Sequence, residues 1–204
     1  MSTARIPSSH WRRSGMVLLS FVALAGLHGI GLGQTMAQDP VDPRPQDRRN
    51  YNQGIAEVRQ LMATRQFGRA APQLDALLAQ RPREAQARFL KGVLQTEQGQ
   101  AEAAVSTFRA LIEDYPELPE PYNNLAVLYA QKGDVQNARV ALETAIKTAP
   151  EWAVAHENLG DIYARMAAEQ YERVGNLDRS NKSAVAKLKL ARDLLTLVAT
   201  TGKP

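Results

Sequence analysis

Three evenly spaced prolines constrain the fold of this chain more than any other feature. Pro82, Pro116 and Pro150 lie 34 residues apart, and each follows an apolar segment with helical periodicity. Proline ends a helix because its ring removes a backbone donor and clashes with the preceding turn. A fixed period of this length indicates stacked copies of one small helical unit, each burying its apolar face against its neighbours.

The composition points to helices rather than strands. Aromatic residues make up only 6% of the 204 residues, and alanine is abundant in every segment after Arg69. Alanine is the strongest helix former, whereas strands are rich in aromatic and β-branched residues. We therefore predict an all-α fold, of a length that suits one short helical array rather than two large domains.

The residues between the prolines resemble the tetratricopeptide repeat. The third unit, counted from Pro119, fills the family's aromatic, small, turn and terminal positions with Tyr122, Leu125, Ala126, Tyr129, Gly133, Ala138, Ala145 and Pro150. The second keeps Gly92, Gly99, Ala104, Phe108 and Pro116, and a degenerate first unit keeps Ala70, Leu74, Leu77 and Pro82. The resemblance implies an α-solenoid of antiparallel helix pairs forming a right-handed superhelix.

The fourth unit starts in register and then departs from the repeat. His156, Leu159, Gly160 and Tyr163 match the pattern, and Gly160 is expected to make a close contact between helices. No turn glycine follows Tyr163, and the segment 177–181 resembles a repeat ending reached about five residues early. We predict that the two helices of this unit fuse into one, from about Trp152 to Gly175, followed by a capping helix.

These patterns predict seven segments along the chain. They are a signal peptide at 1–37, a flexible proline-rich linker at 38–50, repeats at 51–82, 83–116, 117–150 and 151–181, and a C-terminal capping helix at 182–200. The signal is predicted because Arg5, Arg12 and Arg13 precede an apolar stretch that runs to Leu32. We expect cleavage after Ala37 and a periplasmic location. An uncleaved helix that anchors the chain in the inner membrane is the alternative.

Signatures of catalysis and of cofactor binding are missing from the sequence. It contains no cysteine, no glycine-rich phosphate-binding motif and no nucleophile motif. Beyond the signal, the one histidine is His156, at a position where a ring packs between helices. We therefore expect no cofactor, no metal site and no enzymatic activity.

The resemblance implies a binding groove lined by the first helix of each repeat. Such a groove suits a peptide or a helix of a partner protein. Its candidate residues are Gln86, Phe89, Val93, Glu97, Glu120, Asn123, Asn124, Val127, Gln131, Glu157, Asn158, Asp161 and Arg165. We predict a protein-interaction scaffold for an unidentified envelope partner.

Two of these candidates, Asn124 and Asn158, occupy the same repeat position. In chaperone-binding relatives an asparagine at this position binds a partner's C-terminal carboxylate. Those relatives surround the carboxylate with basic residues, whereas Glu120 and Glu157 lie nearby in this chain. A structural role in supporting the helix pair is the alternative.

The C-terminal helix is basic as well as apolar. Lys182, Lys187, Lys189 and Arg192 accompany an apolar set on the same helix. One interpretation is weak contact with an anionic membrane surface or an acidic partner, and the other is a capping helix with a solvated charged face. Nucleic acid is not an expected partner.

Two further hypotheses concern assembly. In one, apolar faces at an unfinished end of the solenoid pair between chains, giving a weak homo-oligomer rather than a monomer. In the other, the chain is a chaperone or an accessory subunit of a separately encoded envelope enzyme.

Overall fold

A computed structural model describes residues 45–201 of the chain, and side chains as far as residue 197. This part consists of α helices and contains no strand. The helices are α1 (Pro45–Ala63), α2 (Phe67–Gln80), α3 (Ala85–Glu97), α4 (Ala101–Asp114), α5 (Pro119–Gln131), α6 (Val135–Thr148), α7 (Ala153–Leu177) and α8 (Lys182–Thr201). The predicted all-α solenoid class is confirmed.

Helix α1 corrects the predicted linker at 38–50. The helix already begins at Pro45, although residues 45–50 are all exposed. Proline is tolerated in the first turn of a helix, and the acidic Asp47 lies where the helix dipole favours a negative charge. The amphipathic stretch from Tyr51 onward therefore extends back by a turn and a half. The predicted signal peptide and residues 38–44 lie outside the described residues.

The described chain falls into two compact units, residues 45–83 and 84–201. In the first, α1 packs against α2, and Val58, Ala70 and Leu74 are completely buried. The guanidinium of Arg81 lies 4.4 Å from the centre of the Tyr51 ring. The unit is therefore a helical hairpin with its own small apolar core.

In the second compact unit, residues 84–201, each helix packs against the next along the chain. Gly92 of α3 allows the closest approach, because a Cβ at that position would lie 2.5 Å from the ring of Phe108 on α4. Helices α5, α6 and α7 share an alanine-rich core that contains Ala126, Ala130, Ala138, Ala141, Leu142, Ala145, Ala155 and Ile162. Small side chains thus bring the helices close together, as the repeat pattern predicts.

The residue at the turn between the two helices of a repeat explains why α7 is so long. Gly99 and Gly133 adopt φ values of 77° and 81°, and Arg65 occupies the equivalent place in the first hairpin with a φ of 56°. The next equivalent position is Ala167, a strong helix former that lies inside α7. The chain therefore continues as one helix of 25 residues, and the predicted fusion is confirmed.

The close contact expected at Gly160 is wrong. Gly160 is exposed, and a Cβ placed there would meet no atom within 4 Å. Gly92 holds the equivalent position in the second repeat and faces α4, which folds back onto it. Because α7 runs straight on, no second helix of the same unit returns to cover Gly160.

Helix α8 begins with a well-defined cap. The side chain of Asn181 accepts a hydrogen bond from the backbone N–H of Ala184 at 2.9 Å. The helix then packs against α7, with Ala184 buried. Among residues 45–201, no helix has the length and apolar character required to span a bilayer.

Candidate partner-binding face

Two hydrogen bonds join α5 and α7, the first helices of the third and fourth repeats. Asn158 Nδ2 on α7 donates to Asn123 Oδ1 on α5 at 2.8 Å, and both side chains are buried. Further along the same two helices, Arg165 Nη1 donates to the carbonyl oxygen of Ala130 at 3.3 Å. These two bonds hold α5 and α7 in a fixed register.

The thirteen candidate groove residues divide by burial. Six are buried, namely Phe89, Val93, Asn123, Asn124, Val127 and Asn158. Gln86, Glu97, Glu120, Gln131, Asp161 and Arg165 are half-buried, and Glu157 is exposed. The buried residues support the helices from behind, so a partner would meet mainly the second group. We call Glu120, Gln131, Glu157, Asp161 and Arg165 the α5/α7 face.

The buried asparagines use their amides inside the fold. Asn124 Nδ2 donates to the carbonyl oxygen of Glu120 at 2.8 Å, one turn earlier on α5. Asn158 donates to Asn123 as described above. Both side chains are only 3% exposed, so a partner's carboxylate would not reach their amides, and the geometry favours the structural role for both residues.

Three side chains on α7 form a charged row at helical spacing. Asp161 has its pKa raised to about 6, chiefly by burial, further by the neighbouring charge of Glu157, and against the opposing influence of Arg165. Burial also lowers the pKa of Arg165, while Glu169 and Asp161 act in the opposite direction. Asp161 is therefore a partly desolvated carboxylate whose negative charge Arg165 does not fully offset.

Glu120, on α5, is a second partly desolvated carboxylate. Burial raises its pKa, and a hydrogen bond from its own backbone N–H opposes this effect. Its Oε2 atom is inaccessible to solvent and accepts no hydrogen bond. Desolvated carboxylates without full compensation disfavour the folded state, and a positive charge brought by a partner would relieve that cost.

The α3 part of the predicted groove is mostly core. The ring of Phe89 lies 5.8 Å from that of Phe108, centre to centre, and Val93 is buried beside it. Gln86 and Glu97, near the two ends of α3, remain half-buried. The candidates on α3 therefore contribute packing more than an accessible surface.

His156 is exposed rather than packed between helices as predicted, and its ring contacts the backbone. Its Nε2 atom lies 2.8 Å from the carbonyl oxygen of Pro150, in the turn before α7. Within residues 45–201, His, Asp and Glu side chains form no group of three suited to a metal ion. The site carries charge and hydrogen-bonding groups suited to a partner surface.

The sequence predicted apolar faces at the unfinished end of the solenoid but not which residues form them. Leu190 and Leu194 on α8 are 68% and 49% exposed, next to alanines of α7. Their spacing of four residues was a signal that could have been recognised. The same helix carries a second apolar row, which is half-buried, so the spacing alone does not separate the two faces.

The stacked helix pairs define an α-solenoid, a fold that is typically a non-catalytic scaffold. Two models of the tetratricopeptide repeat match residues 55–119 and 95–162, which together cover more than half of the chain. The chain belongs to the tetratricopeptide-repeat family. No curated protein sequence matches it.

Solved structures show the same fold. The thermophilic TPR protein TTC0263 of Thermus thermophilus is 19% identical, with a TM-score of 0.55 over 74% of this chain and 87% of that one. The pilF structure from Pseudomonas aeruginosa is 17% identical, with a TM-score of 0.55 over 77% and 75% of the two chains. These likenesses concern the fold alone.

Some structures with this fold are much longer. The chain covers 27% of the O-GlcNAc transferase of Thermobaculum terrenum, at 17% identity and a TM-score of 0.55, and 64% of this chain is matched. It covers 23% of one chain from an assembly bound to HypK-THB. The chain thus spans about a quarter of each of these two proteins.

Proposed function

We propose that this protein is a non-catalytic periplasmic scaffold that holds a peptide or helix of an envelope protein against its α5/α7 face. The family supports the scaffold part of the proposal. The basic and apolar character of residues 1–37 supports export.

The observation that carries the proposal is the charged row on α7 beside the locked pair Asn123 and Asn158. The 2.8 Å hydrogen bond between these asparagines fixes the face before any partner arrives. A preorganised surface binds more tightly because less conformational entropy is lost on association. The face is therefore rigid where it meets a partner.

The charge of the α5/α7 face indicates the charge of the segment that it would bind. Glu120, Glu157 and Asp161 are set against the single cation Arg165, and Asp161 has its pKa raised to about 6. A lysine or arginine of the partner, placed beside Asp161, would restore the preference of that carboxylate for the charged form. We infer that the bound segment carries at least one basic side chain.

Crosslinking in living cells tests the proposal. A photoreactive amino acid is introduced at Gln131 or at Glu157 on the α5/α7 face. The matched control is Gln136, an exposed glutamine on α6. We expect one recurrent envelope protein to be captured from the first two positions and not from Gln136, and Asp161→Lys to reduce that capture strongly.

Other outcomes would contradict the proposal. Equal capture from Gln131 and Gln136 would mean that the face has no special role. Capture that is unchanged by Asp161→Lys would remove the argument from charge. Recovery of the chain from the cytoplasm after osmotic release of the periplasm would exclude the periplasmic location.

A further inference from the structure

The second half of α7 and the whole of α8 form an antiparallel helix pair with an open side. Helix α8 turns Ala184 toward α7, and half-buried Leu188, Ala191 and Leu195 follow at helical spacing. This leaves Leu190 and Leu194 on a neighbouring face of α8, 68% and 49% exposed. Two large aliphatic side chains therefore stand in solvent one helical turn apart.

Beside these leucines lies a shallow apolar trough. It is lined by Ala164, Ala167 and Tyr171 of α7 and by Lys187, Leu190, Ala191 and Leu194 of α8, and its volume is about 290 Å³. Three of its lining residues are alanines, whose small side chains let another helix approach closely. The surface thus carries a ridge of large residues and, next to it, a hollow lined by small ones.

A surface with both a ridge and a hollow can fit a second copy of itself. In a two-fold dimer the same patch is used on both subunits, so each leucine ridge can enter the hollow of the other copy. Exposed contiguous apolar residues of this kind commonly mark protein interfaces. The geometry needs no component other than this chain.

The charges around the trough favour a protein surface over a membrane. Lys189 Nζ lies 2.9 Å from a carboxylate oxygen of Asp193, and Arg192 Nη2 lies 3.2 Å from one of Glu172. The Lys187 ammonium lies 5.8 Å from the centre of the Tyr171 ring. Two of the four basic groups on α8 are ion-paired within the fold, which lowers both the repulsion between two copies and the attraction to anionic lipid.

We propose that the α7/α8 trough is the interface of a two-fold homodimer in which Leu190 and Leu194 of each copy occupy the trough of the other. The trough shares no residue with the α5/α7 face. A dimer would therefore carry two partner-binding faces, and the proposal does not depend on what binds them.

The first test is the association state. The purified protein is examined by sedimentation velocity at protein concentrations from low to several hundred micromolar. We expect a reversible monomer–dimer equilibrium, and Leu190→Glu should raise the dissociation constant at least about 30-fold, as loss of an interface hot spot does. Val185→Glu is the matched control, since Val185 is 56% exposed on α8 but does not line the trough.

The absence of cysteine from the chain allows a second test. Oxidation of a mixture of Leu194→Cys chains and Ala164→Cys chains should give a disulfide-linked heterodimer, because Leu194 of one copy enters the trough that Ala164 of the other lines, whereas Val185→Cys in place of Leu194→Cys should not. This experiment stays informative if Leu190→Glu also disturbs folding, which far-ultraviolet circular dichroism would reveal.

Several results would overturn the proposal. The chain could stay monomeric throughout, or its dimer could be insensitive to Leu190→Glu while the variant stays folded. Co-sedimentation with vesicles of anionic phospholipid that Leu190→Glu abolishes would assign the trough to a membrane surface instead. An intramolecular crosslink from position 194 to residues 1–44 would show that the chain covers its own trough.

Discussion

Asn158 of α7 and Asn123 of α5 are 35 residues apart in sequence and share a buried 2.8 Å hydrogen bond. A buried polar side chain is costly unless it is paired, and here each amide helps to satisfy the other. The bond fixes the register between two units at the level of the α5/α7 face. It links the stability of the solenoid to the shape of its candidate site.

Removing one member of this pair should destabilise the protein. Asn158→Ala leaves the buried Asn123 Oδ1 without this donor, and we expect a loss of about 1–3 kcal/mol in the free energy of unfolding. Chemical denaturation of the single and double alanine variants measures the coupling. If the two single losses add up to the loss of the double variant, the bond does not link the units energetically.

Two glycines at equivalent repeat positions should respond differently to alanine. At Gly92 the new Cβ would lie 2.5 Å from the Phe108 ring, whereas at Gly160 it would meet open space. We expect Gly92→Ala to be less stable than Gly160→Ala by about 1–3 kcal/mol, because overpacking forces the ring to shift. Thermal melting compares the two directly, and equal midpoints would contradict the close packing of α3 on α4.

Opposite substitutions at equivalent turn positions should both be harmful. Gly133 has a φ of 81°, so Gly133→Ala places a side chain in the left-handed region and should cost about 1–2 kcal/mol. Ala167 lies within α7, so Ala167→Gly should cost about 1 kcal/mol through lower helix propensity. Urea denaturation measures both. Stabilisation by Ala167→Gly would mean that the fused helix is strained at this point.

The buried carboxylate on α7 should make stability depend on pH. The pKa of Asp161 rises from 3.8 to about 6 on folding, so the folded state binds more protons between these values. Stability should therefore fall as pH rises through this window and level off above it. Asp161→Asn should raise stability at neutral pH by about 1 kcal/mol, a value reduced for the partial exposure of the group, and by less near pH ~4.

Melting temperatures of the wild type and Asp161→Asn at the two pH values measure this effect. Glu157→Gln is a useful companion, because it removes the neighbouring charge and leaves the burial of Asp161 in place. A stabilisation by Asp161→Asn that is equal at both pH values would show that the carboxylate does not titrate in this window.

The positions of the helices were predictable from sequence because their signals are local. Proline at the end of each unit and glycine at the turns act on the backbone of their own residue, whatever surrounds them. The same applies to the fused helix, since Ala167 stands where Gly99 and Gly133 stand in earlier units. The start of α1 at Pro45 was missed because its first turn has no apolar face to reveal it.

Burial and exposure were decided by the tertiary structure, because they depend on which helix faces which. Gly92 and Gly160 occupy the same place in the repeat, yet only Gly92 has a second helix folded against it. Asn123 is a polar residue that packs inside, and Leu190 is an apolar one that stays outside. Apart from the start of α1, the sequence by itself determined the helices and the fusion within α7, because those signals act locally on the backbone. The tertiary structure decided which surfaces stay exposed, because exposure depends on which helix packs against which.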